Sequence, residues 1–280
     1  MTKELRTRWI YALLAATVVG FVLLFLNPIF IFLFALICGL IGWREFARLT
    51  TIKDKSSFYL AGFAWVLSAF TLSFFQGPNS YFWFYLSLFG SFSVLALERL
   101  LGVWGWVKPT DETPERAWFL IQRFVLGTLY IFLLFGFVGP IAMKPHGQQL
   151  LFMGITSVAF GDAAAYFGGK RFGKQKLWPQ LSPGKTVQGA YFSLLGTILG
   201  ALVVWGAWKL SPATRQMPIS STLLLGFLAS PLGMLGDLLE SMIKRDSGMK
   251  DSGTLLPGHG GLLDRTDALV FVFPIIYFLF

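Results

Sequence analysis

Charged residues are scarce in this sequence, at 13% of its 280 positions, against roughly 25% in a soluble globular domain. That shortage excludes an ordinary water-soluble fold, whose surface needs far more ionic groups. The single cysteine, Cys38, sits in an apolar run, so no disulfide can close within the chain and no cysteine-based zinc site can form. His146 and His259 are the two histidines, which leaves zinc chemistry almost without ligands. No internal repeat relates the two halves, and an inverted-repeat transporter therefore has no sequence support.

What fills the chain instead is apolar: 55% hydrophobic and 17% aromatic residues, with a mean hydropathy of +0.65. Spans of about 20 mainly apolar residues cross a bilayer as helices. Such runs lie at 9–26, 28–43, 58–76, 81–97, 117–143, 150–168, 190–208, 219–240 and 267–280. The expectation is an all-α polytopic membrane protein with about nine transmembrane helices, the last of them short. Eight is the count if the second or last run proves incomplete. Lys3, Arg6 and Arg8 precede the first run, but no small-residue cleavage pattern follows, so it is expected to remain as an uncleaved helix.

The excess of basic residues, a net +9 with an isoelectric point near 9.7, marks cytoplasmic loops in so apolar a chain and not nucleic-acid binding. With the N-terminus cytoplasmic, 19 of the 23 Lys and Arg fall on that side. The other side has only Lys144, Lys209 and Arg215, and Arg123 lies inside the fifth span, where snorkelling to the interface is favoured slightly over phosphate binding. The loops 169–189 and 241–266 are thus expected in the cytoplasm. Residues 1–143 read as an N-terminal set of hydrophobic and aromatic spans, and 144–280 as the region that carries the chemistry.

Most of that chemistry is in Ser241–Asp267, SMIKRDSGMKDSGTLLPGHGGLLDRTD. Lys244, Arg245, Lys250 and Arg265 are interleaved with Asp246, Asp251, Asp264 and Asp267, and glycines let the backbone turn tightly and approach a ligand. His259, flanked by glycines, is a candidate phosphate donor. Two more carboxylates, Asp162 in GDAAAYFGGK and Asp237 in GDLLES, lie late in their spans, where a buried charge is costly and usually functional. Asp237, Ser241 and Lys244, spaced i, i+4, i+7, share one helical face. Acidic oxygens and a hydroxyl without soft ligands suit a hard cation such as Mg2+, and the nearby cations suit phosphates. On the same side, SPGKTVQG (Ser182–Gly189) presents Ser182, Lys185 and Thr186 ahead of a helix. It is not a Walker A loop, which would need glycine where Pro179 stands.

Taken together, Ser241, Lys244, Arg245, Lys250, Asp251, His259, Gly260, Gly261, Asp264, Arg265 and Asp267 resemble the signature of the phosphatidate cytidylyltransferases. The likeness extends through GDLLES, SPGKTVQG and DAAAYFGGKRFGK and covers roughly residues 150–270. Val187 stands where many members carry Trp, and Gln188 where others have Glu. The resemblance implies an enzyme of phospholipid biosynthesis that joins CTP and phosphatidate into CDP-diacylglycerol and pyrophosphate, in the inner cell membrane with its active site facing the cytoplasm. It implies Mg2+, leaves room for a monovalent cation (K+), and is compatible with a homodimer. On this reading Asp162, Asp237, Asp264 and Asp267 hold metal, with Asp237, Asp264 and Lys250 catalytic. Ser182, Lys185, Thr186, Lys244, Arg245, His259, Gly260, Gly261 and Arg265 bind substrate. Residues alone leave open another CTP-dependent lipid or polyprenol phosphotransferase, a silent scaffold, and, in a different class, a cation transporter lined by Asp162 and Asp237. A transporter would spread polar residues through the membrane depth, whereas these spans are polar only toward their cytoplasmic ends.

Overall fold

The computed structural model describes residues 3–49, 56–74, 114–210, 217–255 and 260–280. The run expected at 81–97 and His259 lie outside the described residues. The described chain is almost entirely helical: α1 (Lys3–Phe25), α2 (Pro28–Arg48), α3 (Ser56–Phe74), α4 (Pro114–Ile131), a π-helical turn (Phe132–Gly136), α5 (Val138–Ala142), α6 (Gly147–Phe172), α7 (Val187–Lys209), α8 (Ile219–Asp246), α9 (Leu263–Thr266), a 3-10 turn (Asp267–Leu269) and α10 (Val272–Leu279). Among the described residues, five segments are long and apolar enough to cross a membrane: Pro28–Arg48, Trp118–Ala142, Gly147–Phe172, Val187–Lys209 and Ile219–Asp246. Leu13–Phe25 and Phe58–Thr71 are shorter apolar helices.

Local chemistry sets several boundaries. Pro28 opens α2 directly after Asn27, where its missing N–H costs nothing. Thr186 caps α7 by accepting from the Gly189 amide at 3.1 Å. α8 closes in a Schellman turn: Met249 N donates to Lys244 O at 2.9 Å and Gly248 N to Arg245 O at 3.0 Å, with Gly248 at φ 66°.

The loop expected at 169–189 is more ordered than its polar composition indicated. α6 continues to Phe172, and β1 (Lys176–Trp178) pairs antiparallel with β2 (Ser182–Thr186), Lys176 opposite Thr186 and Trp178 opposite Ser182. Gln188 supports this hairpin, its Oε1 accepting from Lys174 N at 2.9 Å and Gln175 N at 3.3 Å.

In lipid, helices associate through close packing more than through the hydrophobic effect. Small residues meet that need between α6 and α7. A Cβ added at Gly196 would lie 2.6 Å from Phe160 O, and one at Gly200 2.9 Å from Ser157 Cα, so the two backbones touch. α2, α3 and α4 pack through rings instead. Trp43 stacks on Phe58 at 5.2 Å and meets Phe124 edge-on at 5.5 Å; all three are buried. One core joins these helices to α6, α8 and α10. Leu195, Leu199, Val203 and Phe227 remain exposed, as a lipid-facing surface requires.

Arg123 finds a specific partner. It is buried in α4, pairs with Asp246 at the end of α8, and lies 5.0 Å from the Phe119 ring centre. The neighbouring helix end offers it a carboxylate within reach.

Candidate active site

α6, the hairpin, the start of α7 and the C-terminal half of α8 enclose an open cavity of about 700 Å³. Asp162 of α6 and Asp237 of α8 line it together with Lys170, Lys176 and Lys185, the hydroxyl residues Ser182, Thr186 and Ser193, and the backbone of Gly184 and Gly189. Lys185 Nζ lies 2.7 Å from Asp237 Oδ2. Ser241 Oγ donates to Asp237 Oδ1 at 3.4 Å, the i, i+4 contact its spacing predicts. Asp237 is within electrostatic reach of both Asp162 and Asp267. The cavity therefore combines two carboxylates with three lysines and several hydroxyls, donors suited to phosphate and acceptors suited to a hard cation.

A second polar cluster lies around α9. Lys244 Nζ sits between Glu240 Oε2 at 2.6 Å and Asp264 Oδ1 at 2.8 Å. Asp264 Oδ2 accepts from Gly261 N at 2.7 Å, Ser252 N at 2.9 Å and Ser252 Oγ at 3.0 Å. Burial alone would raise the Asp264 carboxyl, but the Lys244 ammonium and the amides of Gly261 and Ser252 hold it below the usual carboxylate range. Gly260 adopts φ 85°, and a Cβ there would come within 2.6 Å of Asp264 Oδ2; glycine is needed for the backbone to wrap this carboxylate. Asp267, whose Oδ1 accepts from Ala268 N at 2.9 Å, belongs to a turn pressed against α8, since a Cβ at Gly236 would collide with the Asp267 carbonyl.

Of the residues singled out from the sequence, the cavity gathers Asp162, Ser182, Lys185, Thr186 and Asp237. Lys244, Gly260, Gly261 and Asp264 form the second cluster and do not line it. Arg245, Lys250 and Arg265 are exposed and lie outside the cavity wall. Two carboxylates escaped the sequence reading. Glu240 stands four residues before Lys244, a spacing that signals an i, i+4 pair. Glu45, buried in α2, accepts from the amides of Leu262 and Leu263, each at 3.0 Å, and no local pattern connects it to them.

Residues 6–280 match the model of the cytidylyltransferase family. The chain belongs to that family. It is 42% identical over 155 residues to a Bacillus subtilis protein named phosphatidate cytidylyltransferase, covering 55% of this chain and 56% of the relative. A Synechocystis protein of the same name is 42% identical over 139 residues, 48% of this chain and 44% of the relative. A third, from Thermotoga maritima, is 34% identical over 175 residues, 61% and 63% of the two chains. The chain thus spans about half the length of the cytidylyltransferases it matches.

Proposed function

We propose that this cytidylyltransferase-family protein transfers CMP from CTP to phosphatidate. A phosphatidate phosphate oxygen attacks the α-phosphorus of CTP; a P–O bond forms there, and the bond from that phosphorus to the oxygen bridging to the β-phosphate breaks. CDP-diacylglycerol and pyrophosphate result. Catalysis of such a transfer is mainly positioning and charge stabilisation, with no protein nucleophile required. The observation that carries the proposal is the Lys185–Asp237 pair at 2.7 Å in a cavity that also holds Asp162, Lys170 and Lys176.

Lys185, Lys170 and Lys176 neutralise the phosphates, and Ser182 and Thr186 orient them. Asp162 and Asp237 offer hard oxygen donors lining the cavity, which fits Mg2+, and Asp267, within electrostatic reach of Asp237, adds to their negative charge. Bound there, Mg2+ would neutralise charge on the phosphate oxygens. Asp264, whose oxygens meet Lys244, Ser252 and Gly261, shapes the adjoining segment and keeps the carboxylate that the family resemblance proposes for metal. Lys250, Arg245 and Arg265, exposed outside the cavity wall, belong to the outer path of the anionic substrates, and the family resemblance supports His259 as a phosphate donor, a second, monovalent ion (K+) and a homodimer.

The apolar runs of the sequence support about nine spans, and the bias of Lys and Arg toward one side supports a cytoplasmic N-terminus and a cavity open to the cytoplasm of an inner-membrane protein. CTP then arrives from water while phosphatidate keeps its acyl chains in the bilayer. The test is CDP-diacylglycerol formation from labelled CTP and phosphatidate by the detergent-purified protein, with Mg2+ and after chelation. Product only with the divalent ion is expected. Its absence in both arms refutes the transferase, and its formation after chelation refutes the metal.

A further inference from the structure

Glu45 is 4% exposed and belongs to α2, far along the chain from the polar segment it meets in space. Oε1 accepts from Leu262 N, and Oε2 accepts from Leu263 N and from Ser252 Oγ at 3.3 Å. Every hydrogen bond its side chain makes among the described residues goes to Ser252, Leu262 or Leu263. Leu262 and Leu263 supply amides from the first turn of α9, which have no partner within so short a helix. Glu45 thus caps that turn from another part of the molecule.

The segment is built around this carboxylate. A Cβ at Gly253 would stand 2.5 Å from Glu45 Oε1, and one at Gly261 2.5 Å from Glu45 Oε2. Both glycines let the backbone close onto Glu45. The Ser252 hydroxyl lies 3.3 Å from Glu45 and 3.0 Å from Asp264, and its single proton serves two carboxylates. A continuous set of contacts therefore runs from Glu45 through Ser252 and Gly261 to Asp264, and from there to Lys244 on α8, the helix that carries Asp237.

We infer that Glu45 is a positioning residue for the transfer reaction, fixing Ser252 and Gly253 against Gly261, Leu262 and Leu263 so that Asp264 and Lys244 hold their places beside the cavity. This role rests on the transferase reading. It also gives α2 a part in the chemistry beyond membrane anchoring. Glu45 touches no cavity group directly, so its loss should slow turnover while leaving the lysines that bind CTP in place.

The test is Glu45→Gln in the full-length protein. Glutamine keeps the size but turns an NH2 group toward backbone N–H donors. Expected are a tenfold or greater fall in kcat, a KM for CTP within threefold of wild type, and faster amide exchange at Ser252, Gly253 and residues 261–264. Wild-type kcat per folded molecule, or unchanged exchange in that segment, overturns the inference. Should Glu45→Gln fail to yield monodisperse protein, Ser252→Ala removes only the bridging hydroxyl: a threefold or greater loss in kcat with the same local exchange supports the assignment, and neither change overturns it. Wild-type protein that makes no CDP-diacylglycerol refutes the transferase reading and the catalytic part of this inference. The exchange pattern then decides separately whether Glu45 holds the segment.

Discussion

The Lys185–Asp237 pair separates a structural from a functional role by magnitude. Its side chains are 23% and 38% exposed, so the attraction is partly screened. Such a pair contributes about 1 kcal/mol or less to stability, and Lys185→Met should lower the melting temperature by only a few degrees. Activity should respond far more strongly. Removing one preorganised group that faces developing charge costs about 10²–10³ in rate, roughly 2.7–4 kcal/mol, and Lys185 is the cavity lysine that touches a carboxylate of the proposed metal pair. The two quantities can be read on one preparation, by tryptophan fluorescence on heating and by CTP turnover with phosphatidate in mixed micelles. The charge-swapped double variant, Lys185→Asp with Asp237→Lys, sharpens the comparison. It restores an ion pair between the hairpin and α8 but exchanges the charges offered to metal and phosphate. Recovered thermal stability with activity still down by about 100-fold or more is expected. A swap that recovers turnover to within threefold of wild type would show that the pair is only a brace, and the site assignment would fall.

Two further perturbations follow from the same contacts. Asp264→Asn leaves the Lys244 ammonium facing Glu240 alone and removes the anionic acceptor of three other donors, which should cost about 2–4 kcal/mol and abolish turnover. Because the folded Asp264 carboxyl titrates below its unfolded value, its stabilising contribution is complete above about pH 4 and fades as pH falls through the lower folded value. The melting-temperature gap between wild type and Asp264→Asn should accordingly be constant from about pH 5 to 8 and close below about pH 4; a gap that widens in acid contradicts the assignment. Gly196→Leu must push against the Phe160 carbonyl, which a Cβ already approaches to 2.6 Å. Overpacking between α6 and α7 worth about 1–3 kcal/mol should appear as lower thermal stability and lost CTP turnover, whereas wild-type stability would show that the helices do not meet there.

Five of the expected spans were legible because hydrocarbon demands uninterrupted apolar runs, whereas the run at 267–280 is a 3-10 turn followed by the short α10, too short to cross. The run at 190–208 became Val187–Lys209, and that at 219–240 became Ile219–Asp246. The mismatch lies at the polar ends. α8 carries GDLLESMIKRD as helix, since a hydrogen-bonded backbone continues past the last apolar residue whenever caps such as Gly248 come later. Hydropathy reads the edge of the bilayer and not the end of the helix. The hairpin was missed for a related reason: strands of three and five residues give no period-2 pattern against so polar a background. Contacts within one helix, Asp237 to Ser241, could be read from spacing alone. The approach of Lys185 to Asp237 needed the topology as well.

Glu45 lay beyond both kinds of reading. It is 218 positions from Leu263, at the polar edge of a span where a carboxylate ordinarily reaches water, and GWREFAR resembles any helix terminus. Only the fold reveals that this carboxylate is buried against backbone amides, and that two glycines of the polar segment are small because Glu45 stands beside them. A motif read by itself assigns its glycines to the ligand. Here Gly261 is packed between Glu45 and Ser252, and Gly253 against Glu45, so their lack of side chains is first a requirement of the protein. The exposed signature cations Arg245, Lys250 and Arg265 point the same way: one signature can combine residues that meet substrate with residues that hold one another. Polar residues in a membrane protein therefore have to be divided by what surrounds them, and the cavity lysines and carboxylates are separated from the Glu45–Ser252–Asp264–Lys244 set by that criterion.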